Sequence, residues 1–357
     1  MTGSYYIPVE KHICYGLQAS FIHPNLTLYK KHDFAVTCSP STSSIGPSSL
    51  YKFVEGNRCW KTMNAISSVT LALGLVGIVF NASVIVTTLR CRRLRRNVAL
   101  SLMCNIAFAD LLTDLYLVVI TSTRRAQTFI AYSRLISTPF FCELISIPMI
   151  TGLFASLLLS FLLTAERYCK IVHSFNFNLQ FKIGRWTKWF TLGVWSFTFI
   201  CAILISTVKH ITGWFDSMCA PLRGIHGFDV RLVILVIAIL VYVTCASLYF
   251  KIYKTIKHST QNVGIQIEGK LARKFVFLIT SNFLFLVMPV GISWLIVEVP
   301  SGVGADTKQT IWKTLSYISL SLNAVLNPLL VAFRHRLFVR EFKRQWRCVI
   351  VVAPLAL

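Results

Sequence analysis

The sequence predicts an all-α protein: a seven-transmembrane helix bundle followed by a short amphipathic helix on the cytoplasmic side. Three observations carry this. Of the 357 residues, 55% are hydrophobic and only 14% charged, against roughly a quarter charged in a soluble domain; mean hydropathy is +0.64. The apolar residues gather in long runs, each close to the ~20 residues that carry a helix across a bilayer. The net charge of +23 falls between those runs. A basic total can indicate nucleic acid, but charges divided among apolar spans leave no polar face for it. The partner expected is membrane lipid, not nucleic acid.

Residues 1–61 form a polar segment, Ser- and Pro-rich around Ser39–Ser49. It shows no positive start followed by an apolar core and a small-residue cleavage site, so the first span is expected to act as the targeting signal. Asn25-Leu-Thr27 is a glycosylation sequon, in keeping with an outside location. Cys14, Cys38 and Cys59 lie here too; two of them can pair, and the third needs a partner elsewhere.

The bundle is expected over residues 62–333. The first span runs from Met63 to Leu89, with Asn81 in its middle, and ends on Arg90-Cys-Arg-Arg-Leu-Arg-Arg96. Such a basic run beside a span marks the cytoplasmic side. The second, Val98 to Thr121, contains Asn105-Ile-Ala-Phe-Ala-Asp110, with Asp114 one helical turn further on the same face. Two carboxylates in hydrocarbon belong in a bundle interior or a wet cavity, and their closeness disfavours double ionisation.

The third span, Phe141 to Tyr168, opens on Cys142, contains Pro148 and stops on Glu166-Arg167-Tyr168. An Arg at the edge of hydrocarbon is costly unless paired. Glu166 is its nearest partner, and an exchangeable ion pair makes a switch; the triplet also reads as a basic flank anchoring a helix end. The fourth span, Thr187 to Val208, is centred on Trp195, read as a packing residue. The fifth runs from Val230 to Tyr253, the sixth from Leu271 to Val297 with Met288-Pro289, and the seventh from Ile311 to Phe333 with Asn323 and Asn327-Pro328. Residues 334–357 begin with apolar positions at helical spacing against basic ones, the pattern of a helix lying on a membrane surface. Cys348 behind it is a candidate for palmitoylation or a plain thiol.

The dense Arg/Lys loops follow spans one, three, five and seven, with Arg124, Arg125 and Arg134 running against the trend. This places the amino end outside and the carboxyl end in the cytoplasm. Cys142 and Cys219 then both face outside, where disulfides form, and are natural partners.

Taken in order, these features resemble the rhodopsin-like G-protein-coupled receptors. Asn81 matches the family's span-one Asn, and Asn105-Ile-Ala-Phe-Ala-Asp110 its span-two Asn-Leu-Ala-x-x-Asp. Glu166-Arg167-Tyr168 is similar to its Asp/Glu-Arg-Tyr, Trp195 to its span-four Trp, and Asn327-Pro328 to the start of its Asn-Pro-x-x-Tyr. Cys142 stands 25 residues before Arg167, the family spacing for the outer disulfide. A narrower resemblance is to the leucine-rich-repeat-containing receptors for glycoprotein hormones and relaxin-type peptides. It rests on Leu102-Met-Cys-Asn-Ile-Ala-Phe-Ala-Asp110, Leu115-Tyr-Leu117, Cys219-Ala-Pro-Leu222, Lys270-Leu-Ala-Arg-Lys274 and Val297-Glu-Val-Pro300. About 60 residues before span one cannot hold a repeat array, which needs at least three repeats of 20–29 residues.

The resemblance implies a plasma-membrane receptor that passes an extracellular ligand's signal to a heterotrimeric G protein. In it, Glu166 holds Arg167 at rest, span six swings out about Pro289, and Arg167 is freed for a G-protein α-subunit; Tyr168, Tyr249, Asn327 and Pro328 belong to the same switch. Asp110, Ser156, Asn323 and Asn327 occupy positions that form a sodium pocket in the family, with Asn81 nearby; the same residues read equally as a hydrogen-bonded network. Val287 stands where the family commonly has a Trp, and Val331 replaces the Tyr of Asn-Pro-x-x-Tyr. Losing that hydroxyl is expected to weaken coupling or silence it.

Glu143, Trp294 and Glu298 lie at outer span ends, where they can face a ligand or anchor the interface. No nucleophile–base pair, metal-ligand spacing or phosphate loop stands out, so no enzyme is expected. Two other classes stay open beside the signalling receptor. One is a receptor-shaped binding protein that does not signal. The other is an ion transporter using Asp110 and Asp114, against which the chain shows no internal repeat of spans.

Overall fold

The computed structural model describes residues 47–127, 132, 135–136, 140–172, 177–207, 219, 230–258, 280–281, 283–287, 305–330, 332–333 and 335–352. Its helices follow the apolar runs: α1 Pro47–Arg90, α2 Arg92–Arg96, α3 Val98–Ala126, α4 Phe141–Val172, α5 Phe177–Thr207, α6 Val230–His258, α7 Ala305–Leu330 and α8 Arg336–Val352. Among the described residues, five stretches are long and apolar enough to cross a membrane: Asn64–Arg90, Val98–Ala126, Phe141–Val172, Arg185–Thr207 and Leu235–Lys257. Leu315–Leu330 of α7 is a shorter apolar helix. Of the expected sixth span, the described part includes one π-helical turn, Phe283–Val287, whose Phe283 packs edge-on against Tyr242 of α6 at 5.8 Å.

Two helix starts differ clearly from expectation: α5 begins at Phe177, ten residues before the expected Thr187, and α1 earlier still. Helix α1 begins at Pro47, inside the segment read as a polar lead-in to residue 61. Proline suits the first turn of a helix because its missing N–H lies among the unpaired ones there. The helix therefore starts well before the apolar run does.

Asn97 separates α2 from α3 and serves both. Its backbone N–H donates to the Leu94 carbonyl, and its side chain accepts from the Leu100 N–H at 3.2 Å, capping α3. Helix α3 sits at the centre, packed on α1, α4 and α7; α4 in turn carries α5 and α6. At Gly152 a side chain would meet the Ala109 carbonyl oxygen at 2.5 Å and Thr113 Oγ1 at 2.6 Å. The glycine thus lets α3 and α4 approach backbone to backbone, as small residues do between membrane helices.

The interior has two main apolar clusters. One, holding Leu100, Leu159, Leu163, Tyr249, Ile252 and Phe338, lies toward the Arg167 end. The other, holding Tyr116, Ile120, Tyr132, Met149 and Cys219, lies toward the Cys142 end. Helices α5 and α6 turn Trp189, Phe190, Phe197, Leu240 and Phe250 outward, each more than half exposed, as lipid-facing helices do. Helix α7 ends just past Pro328, and Phe333 wedges between Phe80, Phe338 and Phe342 at 5.9, 5.6 and 5.2 Å between ring centres. That aromatic knot ties α1, the end of α7 and α8 together. On α8, Phe338 is buried while Arg336, Arg340, Lys343 and Arg344 are exposed, the amphipathic division expected.

Candidate functional site

Helical spacing assembles the Arg167 end of the site. Leu163, Arg167 and Ile171 recur every fourth residue along α4 and are all buried. The Arg167 guanidinium is only 1% exposed, and its Nε lies 2.9 Å from Oε2 of Glu166, itself 8% exposed. The charge is thus drawn into the bundle and neutralised by the preceding residue. Tyr168 is half-buried beside them. Tyr249 enters the same cluster from α6, next to Thr164.

A second group sits deeper. Asp110 of α3 is 3% exposed and accepts from both sides: Ser156 Oγ of α4 donates to Oδ1 at 2.9 Å, and Asn327 Nδ2 of α7 donates to Oδ2 at 2.7 Å. Three helices are joined through one carboxylate. Buried polar groups between membrane helices are held this way because lipid supplies no alternative partner.

The sequence puts Asn81 beside this group, but its amide turns elsewhere. Its Nδ2 donates to Oδ2 of Asp114 at 3.0 Å and to the Ala324 carbonyl at 3.1 Å. The carbonyl is available for a local reason. Pro328, four residues on, has no N–H to return to it. The polar interior therefore divides into an Asp110 set and an Asp114 set one turn apart. Gly77 makes room for the second, since a side chain there would collide with the Asp114 carboxylate.

The Asp110 set fits a sodium ion by its chemistry. It offers a carboxylate, the Ser156 hydroxyl and the amide oxygen of Asn327, which is buried with no hydrogen-bond partner among the described residues; Asn323, one turn before Asn327 on α7, is likewise buried with its amide oxygen unpaired among them. Hard oxygen ligands suit a hard cation. Among the described residues, no group of three or more His, Cys, Asp or Glu could hold another metal.

At the opposite end Cys142 is joined to Cys219 by a disulfide, with the two Cα atoms 4.8 Å apart. Glu143 follows in the first turn of α4, half-buried. Trp195 packs edge-on against Phe108 at 5.3 Å, as its packing role predicts, and its Nε1 also donates to Asn105 Oδ1 at 3.0 Å. That bond explains the Asn of the span-two pattern.

Two features of the site escape sequence reasoning. Arg124 reads as a loop charge, yet it ends α3 with 1% exposure. Asp114 carries no hint of Asn81, because the partner lies 33 residues away on another helix. Asn25, Pro289, Trp294, Glu298 and Val331 lie outside the described residues, as do Cys14 and Cys38; Cys59 and Cys348 fall within helices whose side chains are not described there.

Comparison with known proteins adds to this geometry. The family model described as "7 transmembrane receptor (rhodopsin family)" matches residues 80–330. A "Probable glycoprotein hormone G-protein coupled receptor" of Anthopleura elegantissima is 24% identical over 287 residues, covering 78% of this chain and 30% of its own length. The follicle-stimulating hormone receptor of Rattus norvegicus is 26% identical over 320 residues, covering 86% and 42%. The thyrotropin receptor of Ovis aries is 25% identical over 315 residues, covering 86% and 38%. The chain spans less than half the length of these curated relatives.

Proposed function

Because this chain belongs to the rhodopsin family of seven-transmembrane receptors, we propose that it transduces an extracellular ligand, a peptide or hormone, to a heterotrimeric G protein. The family is one of receptors rather than enzymes, and the chain is a multi-pass membrane protein. The reading goes further: the amino end lies outside the plasma membrane, and the carboxyl end lies in the cytoplasm.

The observation that carries it is the buried Arg167–Glu166 pair at 2.9 Å. A buried pair persists only while each charge lacks a better partner. Outward movement of span six opens this end, and Arg167 exchanges Glu166 for acceptors on the G-protein α-subunit. Tyr249 of α6, packed in the same cluster, belongs to the switch in this reading. The exposed Arg336, Arg340, Lys343 and Arg344 of α8, with the arginines of α2, favour anionic lipid and an acidic partner surface. A sodium ion, held by Asp110, Ser156 and Asn323, would neutralise the Asp110 charge and tie α3 to α4 and α7.

The relatives named as receptors for follicle-stimulating hormone and thyrotropin support a hormone-like ligand. Val287 and Val331 favour a second reading, a binding protein that does not signal. G-protein activation at matched surface expression, with and without Arg167→Ala, separates the two. Activation lost with Arg167 supports signalling; activation that Arg167→Ala leaves intact refutes this role for the pair.

A further inference from the structure

Asp114 stands apart from the Asp110 set and presents an incomplete pair. Its carboxylate and the Asn81 amide are both 0% exposed. One bond between them is made, Asn81 Nδ2 to Asp114 Oδ2 at 3.0 Å. The second hydrogen of Nδ2 serves the Ala324 carbonyl at 3.1 Å, and these two acceptors fix which way round the amide sits. That leaves Oδ1 of Asp114 and Oδ1 of Asn81, two buried acceptors with no hydrogen-bond partner among the described residues.

Among the described residues neither oxygen meets a donor. Helix α1 presents Gly77 and Asn81, and α7 presents the Ala324 carbonyl. The titratable group nearby is Asp110, an acid, one turn away on the same helix. Among the described residues no ion pair reaches Asp114. A charged carboxylate here would face a second carboxylate and an amide oxygen inside a membrane span, the least favourable setting for an anion.

We propose that Asp114 binds a proton on Oδ1 and donates it to Oδ1 of Asn81, closing a two-bond acid–amide pair. One proton satisfies both orphaned oxygens, and the N–H bond already made sets the partners side by side. The pair joins α1 to α3, and Asn81 carries the link on to α7 through Ala324. Asp110 takes its hydrogen bonds from Ser156 and Asn327 instead. The site is thus a proton-binding site next to, and separate from, the Asp110 oxygen set.

The proposal distinguishes substitutions that look alike. Asp114→Asn keeps both bonds, because an amide donates where the acid did. Asp114→Ala keeps neither.

Infrared spectroscopy of the full chain in lipid nanodiscs tests this at neutral pH, reading the carbonyl stretch of protonated carboxylic acids. The intact chain should show such a band; Asp114→Asn should delete it and Asp110→Asn should leave it. Asn81→Leu, which retains Asp114, should shift the band toward that of an acid lacking its hydrogen bond. The proposal is overturned if the intact chain shows no acid band, if Asp110→Asn removes it, or if Asn81→Leu leaves it unmoved. Replacing sodium by a large organic cation should change nothing; an acid band that emerges only then would mean that a metal ion, not a proton, fills the site.

Discussion

Asn81 takes up the carbonyl that Pro328 sets free. Pro328 supplies no N–H to Ala324, four residues back, and Asn81 Nδ2 donates to that oxygen at 3.1 Å from another helix. In lipid an unmet carbonyl has no water to turn to, so the proline leaves an acceptor open and the asparagine meets it. The cost of losing Asn81 should then depend on residue 328. Asn81→Ala should destabilise the intact bundle by about 1–3 kcal/mol, the usual penalty for stranding buried polar groups. In a Pro328→Ala background, where the helix restores its own bond, the loss should be smaller. A double-mutant cycle on thermal unfolding in detergent measures the difference; equal losses in both backgrounds would refute the link.

Gly77 is the floor of the Asp114 notch. Gly77→Ala should destabilise by roughly 1–3 kcal/mol through overpacking, because the added methyl would collide with the carboxylate. Gly193, where an added methyl would meet nothing within 4 Å, is the control: Gly193→Ala should not lower the melting temperature.

The Cys142–Cys219 bridge spans 77 residues of sequence. Chain-entropy reasoning assigns a loop of that length about 4.5 kcal/mol at 25 °C. Cys142→Ser should lower surface expression, and a reducing agent should reduce the stability of the intact chain more than that of the variant.

Much of the architecture is readable in the sequence, because crossing a bilayer demands length and apolarity and little else. Among the described residues, five of the expected spans reappear as long apolar stretches with ends within about five residues of those expected, although α1 and α5 begin well before their apolar stretches. The Asp110 set follows only from the family resemblance carried by Asn327-Pro328 and Asn105-to-Asp110, not from helix spacing. What stays hidden depends on how helices rotate against one another. Asn81 and Asp114 meet only because α1 and α3 turn those faces together, and periodicity within one helix says nothing of its neighbour's angle. Arg124 misleads for a related reason: a charge beyond an apolar run looks like loop until the helix is seen to continue through it. The Trp195–Asn105 bond is hidden because a tryptophan's apolar bulk masks its single donor.

Breaking the Arg167 pair from the acid side should release the switch. Glu166→Gln removes the charge that holds the guanidinium and keeps the side chain's size. Basal G-protein activation should rise several-fold over the intact chain at equal surface expression. The melting temperature should fall, since a buried Arg loses its counter-charge.

The most direct test compares Glu166→Gln with Glu166→Gln/Arg167→Ala across a panel of G-protein α-subunits, at matched surface expression. The receptor reading predicts activation of at least one subunit by the single variant and its abolition in the double. Silence of the single variant across the whole panel, or activation that survives the loss of Arg167, would contradict it.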